Sequence, residues 1–332
     1  MAEYKGVMVF GEVKEGRLAA VTTELLGCGR RLADELGQEL ACLLVGSDVS
    51  GLAQEVISFG ADKVYVASAP LLKDYQAGVY VGVTEKVAGQ VMPQILLLGQ
   101  TDIGRDLAPR LAFRLGTALT TDSVELSLDL DSKSLLMTKP VYGGNAQAIF
   151  ASQTLPQMAT VRAKAMSPLE RDDSRQGEII AVETGLDPSS LRTELVEKVV
   201  AEVEGVWLED AEIVVAGGRG IGGAEGFEQL GELAKILRGA VGASRPPCDN
   251  GWAPVANQIG LTGKIIAPDL YLAIAISGAS QHITGCSGAK TIVAINKDPE
   301  ANIFREASFG VVGDWKQVLP PLTAKVKELL AD

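Results

Sequence analysis

The stretch Ile213–Gly223, IVVAGGRGIGG, decides the fold of the second half of this 332-residue chain. Its first four residues are apolar and predict a buried strand, and a helical pattern begins at about Ala224. Gly218, Gly220 and Gly223 match the spacing G-x-G-x-x-G. Glycines at such a turn let the backbone approach a diphosphate, and the N–H groups of the following helix attract anions. The same spacing also fits a tight turn without a ligand, so the motif alone leaves both interpretations open.

Strands and helices alternate on both sides of this stretch. The predicted strands are Gly6–Phe10, Glu39–Val45, Lys63–Ala67, Gln94–Gly99, Ile213–Ala216, Leu270–Ile276, Thr291–Ile295 and Gly310–Val312. The predicted helices lie at about Arg17–Leu36, Gln54–Gly60, Tyr75–Val91, Asp106–Leu115, Ala224–Arg238 and Lys316–Leu330. Alternation of this kind predicts an α/β protein with two open, mainly parallel sheets.

The middle of the chain has a different rhythm, and the boundary between two domains is predicted after it. Four β-rich segments are expected to extend or cap the first sheet with antiparallel strands: Ser123–Asp129, Ser134–Pro140, Gln147–Ser152 and Met158–Val161. Two further strands are expected at Glu178–Val182 and Lys198–Val203. A second α/β pattern starts near Gly205, which predicts domains at residues 1–204 and 205–332.

Composition limits the classes of function. The chain has 30 Lys and Arg against 42 Asp and Glu, a formal net charge of −12 at pH 7. This balance disfavours nonspecific binding to nucleic acid or to an anionic membrane surface. The longest apolar stretches, such as Asp269–Ala279, fall short of the ~20 residues that cross a bilayer, and the N-terminus lacks a secretory signal. Four cysteines without a CxxC pair and a single histidine provide no metal framework. We therefore expect a soluble, cytoplasmic protein without a resident metal, nucleic acid or membrane insertion.

Polar residues follow several of the predicted strands of the second domain. They are Arg219 after the glycine turn, Ser244 with Arg245, the segment Ser277–His282, Asn296 and Asp314. Because the carboxyl ends of parallel strands meet at one edge of a sheet, these residues are expected to border one ligand crevice. The loop Gln258–Lys264, QIGLTGK, fits either this crevice or a plain turn. His282, the only histidine, fits either a structural or a functional role.

The sequence after the glycine motif does not match the pattern of an NAD(P) site. It expects an acidic residue about 20 positions further on to bind the ribose, and the segment Gly239–Pro247, GAVGASRPP, has no carboxylate. Arg245 at this place suits either a 2′-phosphate or a flavin ring. A free-standing NAD(P)-dependent dehydrogenase also needs an acid/base pair, and none is evident.

Several longer motifs closely resemble the α subunit of electron-transfer flavoproteins. They are GGRG at Gly217–Gly220, VGASRP at Val241–Pro246, TGKIIAPDLYLAIAISGASQH at Thr262–His282, TIVAINKDPEANIF at Thr291–Phe304 and GRDLAPRLAFRLGTALTTD at Gly104–Asp122. The resemblance covers essentially the whole chain. It implies an N-terminal Rossmann-like domain of the adenine-nucleotide-hydrolase type and a C-terminal FAD-binding domain, Rossmann-like with flavodoxin-like layers. A hinge near Val203–Gly205 is also implied.

The resemblance further implies a non-covalent FAD held mainly by the second domain. The implied cofactor-binding residues are Arg219, Ser244, Arg245, Gln258, Ile259, Gly260, Leu261, Thr262, Ser277, Gly278, Ala279, Ser280, Gln281, His282, Asn296, Asp314 and Trp315. Arg219 and Ser244 would contact the phosphate-bearing middle or the ring edge, and Asn296 and Asp314 the adenosine end.

Three residues would tune the flavin: Arg245 against the isoalloxazine face, Thr262 at N5 and His282 as a donor near O2. No catalytic nucleophile or base is implied. Leu261 stands where family members commonly have Gln, so only backbone contacts are expected from Ile259–Leu261.

Two functions are compatible with the resemblance. In the first, an obligate heterodimer with a smaller β subunit carries electrons from flavin dehydrogenases of the acyl-CoA dehydrogenase type to an acceptor such as a quinone oxidoreductase. In the second, the heterodimer is electron-bifurcating, oxidises NADH and reduces ferredoxin as one acceptor. The β subunit would hold AMP in the first case and a second FAD in the second.

Overall fold

The fold was analysed in a computed structural model, which describes residues 3–129, 131–144, 146–186, 193, 195–197 and 206–330. The chain forms two compact units, Met1–Val141 with Ala146–Val199 and Tyr142–Asn145 with Val200–Asp332. The predicted strand Lys198–Val203, the hinge and the boundary at residues 204/205 lie outside the described residues and stay predictions.

The first unit alternates strands and helices. Its strands are β1 (Val7–Gly11), β2 (Val13–Lys14), β3 (Arg17–Leu18), β4 (Leu40–Gly46), β5 (Lys63–Ser68), β6 (Ile95–Gly99), β7 (Leu119–Ser123), β8 (Glu125–Leu128), β9 (Leu135–Val141), β10 (Ala146–Ala151), β11 (Gln157–Val161) and β12 (Glu178–Ala181). Its helices are α1 (Ala20–Leu36), α2 (Ala53–Ser58), α3 (Ala77–Val91) and α4 (Asp102–Leu115), with single 3₁₀ turns at Ser50–Leu52 and Pro70–Leu72.

Among the described residues, the main sheet of the first unit has seven parallel strands in the order β12-β5-β4-β1-β6-β11-β7. The central strands β1, β4 and β6 are buried along their whole length. Strands read as continuous apolar runs when helices cover both faces of a parallel sheet. Here α1 and α2 pack on one face, and α3 and α4 on the other.

The expectation for the β-rich middle segment was partly wrong. Strands β8 to β10 form an antiparallel sheet of their own, in the order β10-β9-β8, and apolar residues of β8 and β9 pack into the core on the α1 side. Strand β11, however, is parallel and lies inside the main sheet between β6 and β7. All five of its residues are buried, which suits an interior parallel strand.

Two helices begin three or four residues from their predicted starts. Helix α1 begins at Ala20 rather than Arg17, because Arg17–Leu18 pairs with Val13–Lys14 as a short hairpin. Helix α4 begins four residues earlier than predicted, because Thr101 caps it: the Thr101 Oγ1 accepts a hydrogen bond from the Gly104 N–H at 3.0 Å.

The second unit is a second open α/β layer structure. Its strands are β13 (Ile213–Gly217), β14 (Ala240–Ala243), β15 (Leu270–Ile274), β16 (Thr291–Asn296) and β17 (Phe309–Val312). Its helices are α5 (Ala224–Ile236), α6 (Arg245–Asp249), α7 (Ser280–Cys286), α8 (Ile303–Glu306) and α9 (Trp315–Leu329), with 3₁₀ turns at Tyr142–Gly144, Arg219–Ile221 and Val255–Asn257.

The strand order of the second unit fixes where a ligand can bind. All of its described strands are parallel and lie in the order β14-β13-β15-β16-β17. The chain starts at β13, moves to β14 on one side and then returns to β15 on the other. Beside the carboxyl ends of β13 and β15, the connections therefore diverge and leave a crevice, the usual ligand position in open α/β sheets.

Candidate functional site

The glycine turn after β13 passes very close to the chain that follows β15. A Cβ on Gly218 would lie 2.1 Å from the Ala275 carbonyl oxygen. A Cβ on Gly223, by contrast, would meet no atom within 4 Å. Packing alone therefore requires the first glycine of the motif and does not require the last.

A cavity of about 740 Å³ opens at the carboxyl edge of the second sheet. The predicted site residues that line it are Arg219, Ser244, Arg245, Gln258, Ile259, Gly260, Leu261, Thr262, Ser277, Ala279, Gln281, His282 and Asn296. The structure therefore brings together residues from the ends of β13, β14, β15 and β16. Further lining residues, which sequence reasoning did not single out, are Pro246, Ala275, Ile276, Lys297, Asp298 and Ala301. The run Asn296–Asp298 after an apolar strand was the available signal for two of them.

Asp314 and Trp315 line a neighbouring cavity of about 220 Å³. It shares four lining residues with the larger one: Gly220, Ala275, Asn296 and Lys297. Both side chains already have partners: the Asp314 carboxylate caps α9 by accepting from the Lys316 N–H, and the Trp315 indole N–H donates to the Gly220 carbonyl at 3.2 Å. Trp315 therefore supports the glycine turn, and Asp314 supports the start of α9.

Gly278 and Ser280 do not line either of these two cavities. Gly278 has a φ of +80°, and a Cβ there would lie 2.2 Å from the Ile303 nitrogen. Its position in the fold thus accounts for the glycine.

Backbone hydrogen bonds hold the loop Gln258–Lys264 in place. The N–H groups of Ile259, Gly260 and Leu261 donate to carbonyls of Ala243, Lys264 and Gln281 at 2.8, 3.1 and 2.7 Å. The backbone donors expected from Ile259–Leu261 are therefore engaged within the protein. Leu261 itself is 56% exposed.

Thr262 in the same loop keeps a donor for a ligand. The Gln258 amide Nε2 donates to its Oγ1 at 3.1 Å. A hydroxyl that accepts one hydrogen bond still carries its own O–H.

Cations outnumber carboxylates around the larger cavity. Arg219, Arg245 and Lys297 line it together with one carboxylate, Asp298, among the described residues. Arg245 opens α6 and lies at the exposed rim, where its Nε is 3.2 Å from the Asp249 Oδ2 and its side chain is 68% exposed. The wall therefore suits a ligand with several negative charges.

His282 is buried, and both of its ring nitrogens have partners. Its Nδ1 lies 3.1 Å from the Ile259 carbonyl oxygen, and its Nε2 lies 2.7 Å from the Tyr271 hydroxyl. Burial lowers the pKa of His282 to about 4, so the ring is neutral at pH 7. His282 also lines the larger cavity, and its role as a donor near the flavin O2 stays a prediction. Tyr271, eleven positions away, was missed at the sequence level.

A cavity of this size and charge, placed where the strand connections diverge, is the ligand site of a nucleotide-binding α/β protein. Two family models match the chain. The electron transfer flavoprotein domain covers residues 7–186, and the electron transfer flavoprotein FAD-binding domain covers residues 207–287. The chain belongs to the electron transfer flavoprotein alpha-subunit family.

Full-length relatives agree with this assignment. The electron transfer flavoprotein subunit alpha of Megasphaera elsdenii is 45% identical over 331 residues, which cover 99% of this chain and 98% of the relative. The subunit alpha of Thermoanaerobacterium thermosaccharolyticum is 44% identical over 330 residues, covering 99% of this chain and 100% of the relative. Protein FixB of Clostridium saccharobutylicum is 44% identical over 332 residues, covering 100% and 99%.

The second unit fits the FAD that this family binds. The volume of about 740 Å³ lies within the usual range of roughly 300–1,000 Å³ for cofactor sites. Arg219 stands at a glycine turn where the backbone can approach a diphosphate. This subunit therefore carries FAD, and the chain is an electron-transfer subunit.

Proposed function

We propose that the chain is the α subunit of a heterodimeric carrier that takes electrons from an acyl-CoA dehydrogenase-type flavoenzyme and passes them to a downstream acceptor, such as a quinone oxidoreductase. The observation that carries this proposal is the cavity at the carboxyl edge of the second sheet. Its wall supplies charge and hydrogen-bond groups. Its one histidine is bonded to Tyr271 and Ile259 rather than to a serine or threonine nucleophile. Such a site suits positioning and electrostatic tuning.

The residues of the wall divide into three roles in this proposal. Arg219 and Ser244 hold the phosphate-bearing middle of FAD, and Asn296 with Asp314 and Trp315 borders the adenosine end. The smaller cavity beside the glycine turn supports the last assignment, since it adjoins the larger one at Asn296. FAD supplies one- and two-electron chemistry when bound.

The ring end of the site depends on Arg245 and Thr262. A guanidinium near the flavin stabilises the negative charge that reduction adds, and so raises the reduction potential. The Thr262 hydroxyl, with its acceptor side bonded to Gln258, directs its own proton toward the ring. His282, which lines the same cavity, is the proposed donor near the flavin O2.

A smaller β subunit completes the carrier, holds AMP, and works with this chain in the cytoplasm. The family supports the heterodimer, and the four buried, free cysteines suit a reducing compartment. Within the described residues, no helix has the length and apolarity needed to cross a membrane.

Counting the cofactors tests this proposal. The chain is co-purified with its β subunit, the nucleotides are released, and FAD and AMP are quantified per heterodimer. One FAD with one AMP is the expected result. Two FAD per heterodimer would refute the conventional carrier and favour the bifurcating type, for which NADH oxidation with ferredoxin reduction is the next assay. A heterodimer without FAD would overturn both.

A further inference from the structure

Ala275, the first residue after β15, has a left-handed backbone. Its φ is +53°, in a region that is unfavourable for a residue with a Cβ. The Ala275 N–H donates to the Ile295 carbonyl of β16 at 2.8 Å. The next peptide is also fixed, because the Asn296 side-chain amide donates to the Ile276 carbonyl at 2.8 Å. Strained residues of this kind persist only where their surroundings hold them, and they are common at functional sites.

Ala275 lies where the two cavities of the second unit meet. The cavities of about 740 and 220 Å³ share four lining residues, Gly220, Ala275, Asn296 and Lys297, which we call the junction. A Cβ on Gly220 would lie 3.0 Å from the Ala275 Cβ. The methyl group of Ala275 therefore faces the glycine turn at the junction.

The other three residues of the junction leave its width to position 275. Gly220 has no side chain. Asn296 is fixed, because its Nδ2 is bonded across to the chain after β15 and its Oδ1 accepts from the Asp298 N–H at 3.0 Å. Lys297 is exposed and has a long, flexible side chain that can move aside. The size of the side chain at position 275 therefore determines how much space the junction offers.

We propose that Ala275 is a specificity-determining residue of the cofactor site: its short side chain, held at the junction by a left-handed backbone, leaves room for FAD to extend from the larger cavity into the smaller one. The inference rests on the proposed function, because it assumes that the adenosine end of FAD lies beside Asp314 and Trp315. A longer side chain at position 275 would obstruct the adenosine half and leave the ring end, beside Arg245 and Thr262, unchanged.

Ala275→Asn tests this role, because asparagine tolerates the left-handed conformation and adds an amide group at the junction. We expect the dissociation constant of FAD from the heterodimer to rise about tenfold to a hundredfold, the effect of overpacking a filled site. The absorption spectrum and the reduction potential of FAD bound at saturation should remain those of the wild type. The unfolding temperature of the flavin-free heterodimer should not fall, because the amide extends into the cavity.

Arg238→Asn is the matched control. Arg238 follows α5 in the same unit, has a φ of +54° and lines neither cavity. It receives the same residue in the same backbone conformation, so the affinity for FAD should stay unchanged. Ala275→Gly makes the opposite change at the junction. It removes both the methyl group and the strain, so this variant should unfold at a higher temperature and bind FAD at least as tightly as the wild type.

The inference would be contradicted by an unchanged dissociation constant of FAD in Ala275→Asn, by an equal loss in Arg238→Asn, or by weaker binding in Ala275→Gly. A shifted spectrum or potential of the bound FAD would mean that position 275 acts on the ring end. A lower unfolding temperature of flavin-free Ala275→Asn would assign Ala275 a structural role instead. Failure of the proposed function would be visible in the wild type, as a heterodimer that lacks FAD or holds two, before any variant is compared.

Discussion

Replacing Gly218 by alanine should damage the FAD site more than any other alanine in the glycine turn. The added Cβ would lie 2.1 Å from the Ala275 carbonyl oxygen and 2.7 Å from both the Ala275 carbonyl carbon and the Ile276 Cα. All three are backbone atoms, so no side chain can rotate away. Ordinary contact begins at about 3.4 Å, so one backbone segment has to move by roughly 1.3 Å.

The expected cost follows from these contacts. Overpacking a dense interior costs about 1–3 kcal/mol. The movement also strains the hydrogen bond from the Gly218 N–H to the Ile274 carbonyl, now 2.9 Å long, which is worth about 1 kcal/mol. We therefore expect the free energy of unfolding to fall by about 3 kcal/mol. Because Arg219 and Gly220 of the same turn line the cavity, a displaced turn should weaken FAD binding by about a hundredfold.

Gly223→Ala is the matched control. It adds the same methyl group to the same turn, in open space and with a φ of 170°, an extended conformation that any residue adopts. Gly223 precedes α5, so alanine there should cost about 1 kcal/mol or less. Fluorescence titration of the heterodimer with FAD and thermal unfolding measure both variants. Equal FAD affinities of Gly218→Ala and the wild type, or a larger loss in Gly223→Ala, would refute the reasoning.

Four further substitutions test charge and hydrogen bonding. Arg245→Gln should lower the reduction potential of bound FAD, and Asp249→Asn, which frees the same guanidinium, should raise it. Each shift should be roughly tens of millivolts, because water screens both exposed charges. Shifts of equal sign in redox titrations would exclude this pair from ring tuning. Thr262→Val should change the reductive titration of the flavin, and identical spectra throughout would argue against contact at N5. Burial raises the pKa of Glu12 to about 7. Its contribution to the free energy of unfolding is therefore fully present below pH ~4.5 and is lost as the pH rises through 7. Glu12→Gln keeps an acceptor for the Thr101 hydroxyl and should therefore stabilise the first unit more at pH 8 than at pH 5. The difference in the free energy of unfolding should reach up to about 3 kcal/mol and appear as a higher unfolding temperature. An effect independent of pH would contradict this.

The parallel sheets and much of the cavity wall could be predicted from the sequence because both depend on local patterns. Apolar runs such as Leu40–Gly46 identify buried strands, and a parallel sheet gathers the ends of its strands at one edge. Ser244, Ser277 and Asn296 were predicted from their positions after strands, and all three line the same cavity. Arg219 was predicted in the same way, from its place in the glycine turn after β13.

What the sequence could not predict depends on distances across the fold. The run Gln157–Val161 has the pattern of a strand in either orientation, and only its place between two parallel strands makes it parallel. The partner of His282 is equally nonlocal: Tyr271 lies on a strand and His282 on the next helix, and only packing brings them within 2.7 Å. The protein partners of a histidine therefore cannot be inferred from a local motif alone.

Arg245 lies at the exposed rim of the cavity, so its effect on a bound flavin depends on what covers that rim. In the proposed arrangement, the flavin ring lies against a guanidinium that is 68% exposed and already lies 3.2 Å from a carboxylate. A charge in contact with water is strongly screened, whereas the same charge acts several times more strongly in a medium of lower dielectric constant. A β subunit that covers this rim would strengthen the field of Arg245 without any change in this chain. We therefore expect the potential of the flavin to depend on assembly, and Arg245 to influence it more in the heterodimer than in the isolated subunit.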